Sequence, residues 1–143
     1  MSWLPKKSVV VPIDFSDPSF AALTTARELV DDVSGLHLIH VLPVLDPAEP
    51  GVIWTTVDDE SRRHHATQAI QERLADDQNY DNVSIEIAFG NPGKEIAEYA
   101  QRIKAELIVM PSHGRTGLKK VLLGSVTQRA VQLAHCPVLV LRQ

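Results

Sequence analysis

Short apolar runs of strand length alternate with segments of helical periodicity along the chain. The runs, rich in Val, Ile and Leu, cover residues 8–13, 36–42, 83–89, 107–110 and 138–141. Their composition is typical of strands buried on both faces of a sheet. Buried strands that are separated by helices pair in parallel through right-handed crossovers. The pattern therefore predicts an α/β fold, a three-layer α/β/α sandwich around a five-stranded parallel sheet.

Cap and stop residues separate the predicted helices from the strands. Asp17 supplies a cap for the first helix, Pro18 occupies its first turn, and Gly35 ends it. Two further helices are predicted over residues 57 to about 77 and from Asn91 onward. An irregular, proline-rich loop is expected between the second strand and the second helix.

Composition limits what such a chain does. With 143 residues, 44% of them hydrophobic and 22% charged, it fits one folded domain over residues 1–143. No apolar run approaches the ~18–20 residues that cross a bilayer, so we expect no membrane insertion. The start lacks the apolar segment of a secretion signal, and the single cysteine, Cys136, agrees with a reducing compartment. We therefore expect a cytoplasmic protein.

Charge is distributed unevenly along the chain. The net charge of −4 argues against nucleic-acid binding, which usually requires a basic face. Every acidic residue lies at or before Glu106, and the residues beyond it include Arg115, Lys119 and Lys120. A basic end in an acidic protein indicates a local anion site, and a solvated cationic face explains the same asymmetry equally well.

Ligands of open parallel sheets bind beyond the carboxyl ends of the strands. The most informative segment at that edge covers residues 111–125, where Gly114 precedes a basic stretch and Gly124 opens a helix. Glycine lets backbone N–H groups approach an anion, and a helix N-terminus adds unpaired donors. Ser125 and Gln128 have capping-box spacing, so we expect the Ser125 side chain to cap a helix that runs to about residue 135. The loop suits phosphate, although loop glycines also serve as turn residues alone.

The sequence resembles the universal stress protein family over essentially its whole length. The resemblance is carried by residues 10–16, by His40-Val41, by residues 90–93 and above all by residues 107–141. In the ATP-binding branch of that family the pattern is glycine, two residues, glycine, nine residues, then glycine with serine or threonine. Gly114, the nine residues after it and Gly124-Ser125 match, but Pro111 stands in place of the first glycine.

Pro111 removes one backbone donor, because proline has no N–H. One lost hydrogen bond costs about 0.5–1.5 kcal/mol, or roughly threefold to twelvefold in affinity. We therefore expect weaker nucleotide binding and not its loss. A decayed site, in a protein that acts without a nucleotide, is the alternative.

The resemblance implies a single HUP-type, Rossmann-like domain that binds ATP or AMP, with Mg²⁺ accompanying ATP. The implied adenine-side residues are Pro12, Ile13, Asp14 and Val41, and the residues implied to border the ribose are Met110 and Pro111. The implied phosphate-side residues are His113, Gly114, Arg115, Gly124, Ser125, Val126 and Thr127. Asp14 is equally suited to cap the approach to the first helix.

The resemblance further implies a stress-response regulator that acts on an unidentified partner protein. In the family the last strand mediates homodimerisation, here through Val138, Leu139, Val140 and Leu141. We predict no catalytic residue and no protein-held metal, since no zinc-type ligand spacing and no nucleophile elbow occur. Two alternatives stay open: an interaction module without a nucleotide, and a slow ATP-hydrolysing enzyme in which His113 or Arg115 contributes.

Overall fold

The computed structural model describes residues 2–45, 58–114 and 122–142. In those ranges the strands are β1 (Val9–Pro12), β2 (Leu36–Leu42), β3 (Ser84–Phe89), β4 (Leu107–Pro111) and β5 (Val138–Leu141). The α-helices are α1 (Asp17–Leu29), α2 (Asp59–Leu74), α3 (Pro92–Arg102) and α4 (Ser125–Leu133). Short 3-10 turns cover Val33–Gly35 and Gln78–Tyr80. The predicted proline-rich loop falls mostly outside the described residues.

The strands form one sheet in the order β3-β2-β1-β4-β5, and every neighbouring pair is parallel. This confirms the predicted α/β fold with a five-stranded parallel sheet. The chain builds outward from β1 to β3, then returns to place β4 on the other side of β1. The strand order therefore reverses between β1 and β4, where open parallel sheets bind their ligands.

Two apolar cores lie on opposite faces of the sheet, because alternate residues of a strand point to opposite sides. Val9 and Val11 face a core that includes Leu23 of α1 and Ile70 of α2. Val10 belongs to the second core, whose buried members from α3 and α4 include Ile96, Tyr99, Ala100 and Ala130. The sheet is thus covered by helices on both faces, as the strand composition predicts. No helix among the described residues is long and apolar enough to cross a membrane.

The first helix differs from its prediction at both ends. Its cap is Ser16, whose side chain accepts a hydrogen bond from the Ser19 N–H at 3.2 Å, so the prediction of Asp17 was wrong by one residue. The helix ends at Leu29, and Gly35 lies in the separate 3-10 turn. A Cβ on Gly35 would lie 2.0 Å from the Lys7 carbonyl oxygen. That glycine is required by the close approach of another segment, not by the end of a helix.

Candidate functional site

A cavity of about 210 Å³ opens at the carboxyl edge of the sheet, at the reversal point between β1 and β4. Its walls come from the ends of β1, β2 and β4 and from the first turns of α1, α3 and α4. Most of the lining side chains are apolar. Ordinary parallel-sheet topology therefore brings four separated parts of the sequence to one place, within residues 12–19, 39–41, 92–96 and 110–127.

Most of the residues implied by the resemblance line this cavity. They are Pro12, Ile13, Asp14, Val41, Met110, Pro111, Gly114, Gly124, Ser125, Val126 and Thr127. His113 is not among the lining residues, and its Nδ1 lies 3.2 Å from the Ser112 hydroxyl oxygen. Arg115, Lys119 and Lys120 lie outside the described residues. The assignment of these residues to a ligand stays a prediction.

Sequence reasoning missed five other residues of the cavity wall. They are Ser19, Ile39, His40, Pro92 and Ile96. Ile39 and Ile96 follow the apolar periodicity of a strand and a helix, which marks them as core residues and gives no sign of a cavity. His40 carried a usable signal, since it is a polar residue near the carboxyl end of a buried strand.

The carboxylate of Asp14 is held by the turn that leads into α1. Its Oδ1 accepts hydrogen bonds from the backbone N–H of Ser16, at 3.0 Å, and from the Ser16 hydroxyl. Its other oxygen, Oδ2, lies so near Gly114 that a Cβ there would approach it to 2.8 Å. Asp14 thus orders the approach to α1, and its carboxylate lies close to Gly114, which follows β4.

The first turn of α4 lines the cavity and has no side-chain cap. Gly124 is the N-cap residue and Ser125 is the exposed first residue of the helix, so the predicted capping box was wrong. The Gln128 side chain instead donates to the Leu123 carbonyl at 3.3 Å. The spacing is present, but the helix begins at Ser125, one residue earlier than a capping box with Ser125 as the N-cap requires.

Among the residues that the structure describes, none requires a glycine at position 124. Its φ of −68° and ψ of 162° are open to any residue. A Cβ there would make ordinary contacts, the nearest being the Ser112 carbonyl oxygen at 3.4 Å. By contrast, a Cβ on Gly93 would lie 2.4 Å from the Arg129 Cβ, so that glycine is needed where α3 packs on α4. Gly124 is a lining residue of the cavity, next to the backbone of residues 112–114.

The Thr127 side chain is buried, with 2% of its surface exposed, although it lines the cavity. Its hydroxyl donates a hydrogen bond to the Pro111 carbonyl oxygen at 2.9 Å. The bond ties the first turn of α4 to the end of β4. Thr127 therefore supports the cavity wall, whether or not a ligand reaches its hydroxyl.

The first turns of three helices lie in the cavity wall, and helix N-termini carry a partial positive charge that suits anions. Ser19 of α1, Pro92 of α3 and Ser125 of α4 all lie in first turns and all line the cavity. In the described ranges, no group of three or more His, Cys, Asp or Glu side chains could hold a metal ion. The cavity wall thus combines the partial positive charge of helix ends with the carboxylate of Asp14.

Topology and cavity together define a parallel α/β protein with a ligand cleft at the reversal of strand order. The family model described as "Universal stress protein family" matches residues 6–142. The chain belongs to the universal stress protein family. Universal stress protein MJ0531 of Methanocaldococcus jannaschii is 35% identical over 144 residues, covering 96% of this chain and 82% of that relative. Universal stress protein YxiE of Bacillus subtilis is 31% identical over 144 residues, covering 94% of this chain and 97% of YxiE.

Solved structures share the fold. Universal stress protein UspA from Lactobacillus plantarum superposes with a TM-score of 0.73 at 29% identity, covering 95% of this chain and 97% of that one. A universal stress protein solved in complex with cAMP has a TM-score of 0.62 at 22% identity, covering 96% of this chain and 97% of its own. The universal stress protein from Archaeoglobus fulgidus in complex with dAMP has a TM-score of 0.58 at 19% identity, covering 96% of this chain and 98% of its own.

Proposed function

We propose that the cavity between β1 and β4 binds an adenine nucleotide, AMP or ATP, and that the bound form regulates a partner protein in the cytoplasm. The observation that carries this proposal is the pairing of two environments in one cavity. Apolar side chains, among them Val41, Ile96 and Met110, suit the flat base. The first turn of α4, opened by a glycine that no described neighbour requires, suits phosphate oxygens.

In this proposal the base lies beside Asp14 and Val41, the ribose beside Met110 and Pro111, and the phosphates beside Gly114 and the start of α4. A carboxylate accepts a hydrogen bond from the exocyclic amine of adenine. Asp14 suits that role because Ser16 already fixes one of its oxygens and so restricts the rotation of the carboxylate. A ligand group therefore meets a carboxylate that is already oriented.

The two fold relatives solved with cAMP and with dAMP add support. Both of those ligands combine an adenine base with a phosphate, which are the two chemical parts that the cavity suits. Mg²⁺ would accompany ATP as a counter-ion, because the helix ends carry only partial charges. We propose no catalytic residue, and hydrolysis is a separate outcome of the test below.

We further propose that the protein is a homodimer joined through β5. This strand lies at the edge of the sheet, and its residues Val138–Leu141 are only partly buried. Edge strands with apolar side chains tend to pair with another chain. Light scattering behind a sizing column tests this: a charged substitution such as Val140→Lys should give the monomer mass, and an unchanged mass would contradict it.

Calorimetric titration of ligand-free protein with AMP, ATP and ATP plus Mg²⁺ tests the proposed ligand. We expect saturable binding of one nucleotide per chain, with a clear loss for Asp14→Ala and none for Asp17→Ala. Asp17 is a matched control, since it lies in the same turn, is exposed and does not line the cavity. Absence of heat and of a thermal shift at millimolar nucleotide would favour a nucleotide-free interaction module. Phosphate release well above background would favour a hydrolase.

A further inference from the structure

His40 of β2 holds the backbone of β1 next to Asp14. The Ile13 N–H donates to the Ile39 carbonyl oxygen at 2.8 Å. The Ile13 carbonyl oxygen lies 2.6 Å from Nδ1 of His40. Both polar groups of Ile13 are thus paired with consecutive residues of β2. The peptide that leads into Asp14 is fixed from one neighbouring strand.

This contact determines which nitrogen of the His40 ring carries hydrogen. A carbonyl oxygen only accepts, so Nδ1 must be the donor. The neutral ring therefore carries its hydrogen on Nδ1 and not on Nε2. The imidazolium form keeps the same bond, because both of its nitrogens donate.

The His40 ring also contacts the residue that follows Asp14. Phe15 has a φ of 64°, a left-handed backbone conformation that is rare for bulky residues. Its ring meets the His40 ring edge-on, with centroids 4.9 Å apart. Edge-to-face contact is a favoured arrangement of aromatic rings. One side chain therefore touches the backbone before Asp14 and the side chain after it.

We propose that His40 is a positioning residue that acts through Asp14 and so sets the selectivity of the cavity for the base. The bond to Ile13 and the contact with Phe15 fix the Asp14 backbone, while Ser16 fixes its carboxylate. A carboxylate held in this way favours bases with an exocyclic amine over bases without one. This inference rests on the proposed adenine site.

The test compares AMP with IMP, which lacks the amine, by calorimetric titration. His40→Leu removes the donor and keeps an apolar side chain, and we expect it to lower the AMP-to-IMP affinity ratio by about tenfold. His40→Asn places an amide N–H near the position of Nδ1, and it should restore the ratio to within about threefold of wild type. His37→Leu, on the same strand outside the cavity wall, is the matched control and should leave the ratio unchanged.

A double-mutant cycle with Asp14→Asn separates this role from simple packing. If His40 acts through Asp14, then Asp14→Asn with His40→Leu should discriminate no worse than Asp14→Asn alone. Additive losses in the double mutant, or an unchanged AMP-to-IMP ratio in His40→Leu, would overturn the role of His40. The proposed function would still stand in either case, provided that the wild-type protein binds AMP. Failure of the wild type to bind AMP would overturn the proposed function and this role with it.

Nitrogen NMR of the ligand-free protein gives a readout that needs no nucleotide. In the neutral form of the His40 ring, we expect the nitrogen chemical shifts to show hydrogen on Nδ1. The opposite tautomer, with hydrogen on Nε2, would mean that the bond to Ile13 is absent and would overturn the proposal.

Discussion

Thr127 and Pro111 are joined by a buried hydrogen bond of 2.9 Å, from the threonine hydroxyl to the proline carbonyl oxygen. The two residues are 16 positions apart and belong to α4 and β4. The bond fixes the N-terminus of α4 above the end of β4, where the cavity opens. The geometry of the mouth thus depends on a side chain that the sequence analysis assigned to a ligand.

Replacement of Thr127 by valine tests that structural role. Valine keeps the shape but leaves the Pro111 carbonyl without its donor, so we expect a loss of about 1–3 kcal/mol in the free energy of unfolding. Thr127→Ser should retain most of the stability. Ser125→Ala, an exposed change two residues earlier, should alter it by less than about 0.5 kcal/mol. Urea denaturation measures all three, and equal stability of Thr127→Val and wild type would contradict the role.

Alanine substitutions at Gly124 and Gly93 should affect different properties: nucleotide affinity at position 124 and the stability of the fold at position 93. A methyl group at position 124 meets ordinary contacts with its described neighbours, so Gly124→Ala should change the free energy of unfolding by less than about 1 kcal/mol. It should still lower nucleotide affinity by at least about tenfold, because the methyl occupies the space proposed for phosphate. Gly93→Ala should destabilise the fold by about 1–3 kcal/mol through overpacking against Arg129. Unchanged affinity in Gly124→Ala would remove that residue from the site.

A negative charge at position 125 should raise the stability of the protein and at the same time abolish nucleotide binding. The first turn of α4 holds no acidic residue, so Ser125→Asp should stabilise the helix by about 0.3–1 kcal/mol. The same charge repels phosphate, and we expect nucleotide binding to be lost. Gln132→Glu adds an equal charge at the exposed far end of the helix and controls for net charge. Wild-type affinity in Ser125→Asp would contradict the phosphate position.

The effect of Pro111 can be measured by restoring its N–H. If the missing donor weakens the site, Pro111→Gly and Pro111→Ala should both bind AMP about threefold to twelvefold more tightly than wild type. Alanine adds the donor without the backbone freedom of glycine, so agreement between the two isolates the N–H. Equal or weaker affinity in both would show that the donor is not used.

Stability should fall in mild acid through His37 of β2. Burial lowers the pKa of this imidazole below its ordinary value. The unfolded chain then binds the proton more readily than the folded one, so stability is lost as the pH falls below about 6.5. Denaturation of wild type and His37→Gln across this range should give curves that converge toward acid pH. Parallel curves would contradict the lowered pKa.

The sheet and the edge at which the cavity opens followed from local patterns, whereas several side-chain contacts did not. Alternating apolar runs and helices fix a parallel sheet, and parallel topology gathers strand ends such as Asp14 and Val41 at one edge. His40 was missed because its partner, Ile13, lies 27 residues away and becomes a neighbour only through strand pairing. The Ser125 cap was mispredicted because capping-box spacing alone does not fix the first residue of a helix.

A crystal structure of the protein with AMP tests the account most directly. The account predicts density for the base between Asp14 and Val41 and for the phosphate against Gly124 and the first turn of α4. An empty cavity at saturating AMP, or AMP bound away from the edge between β1 and β4, would contradict it.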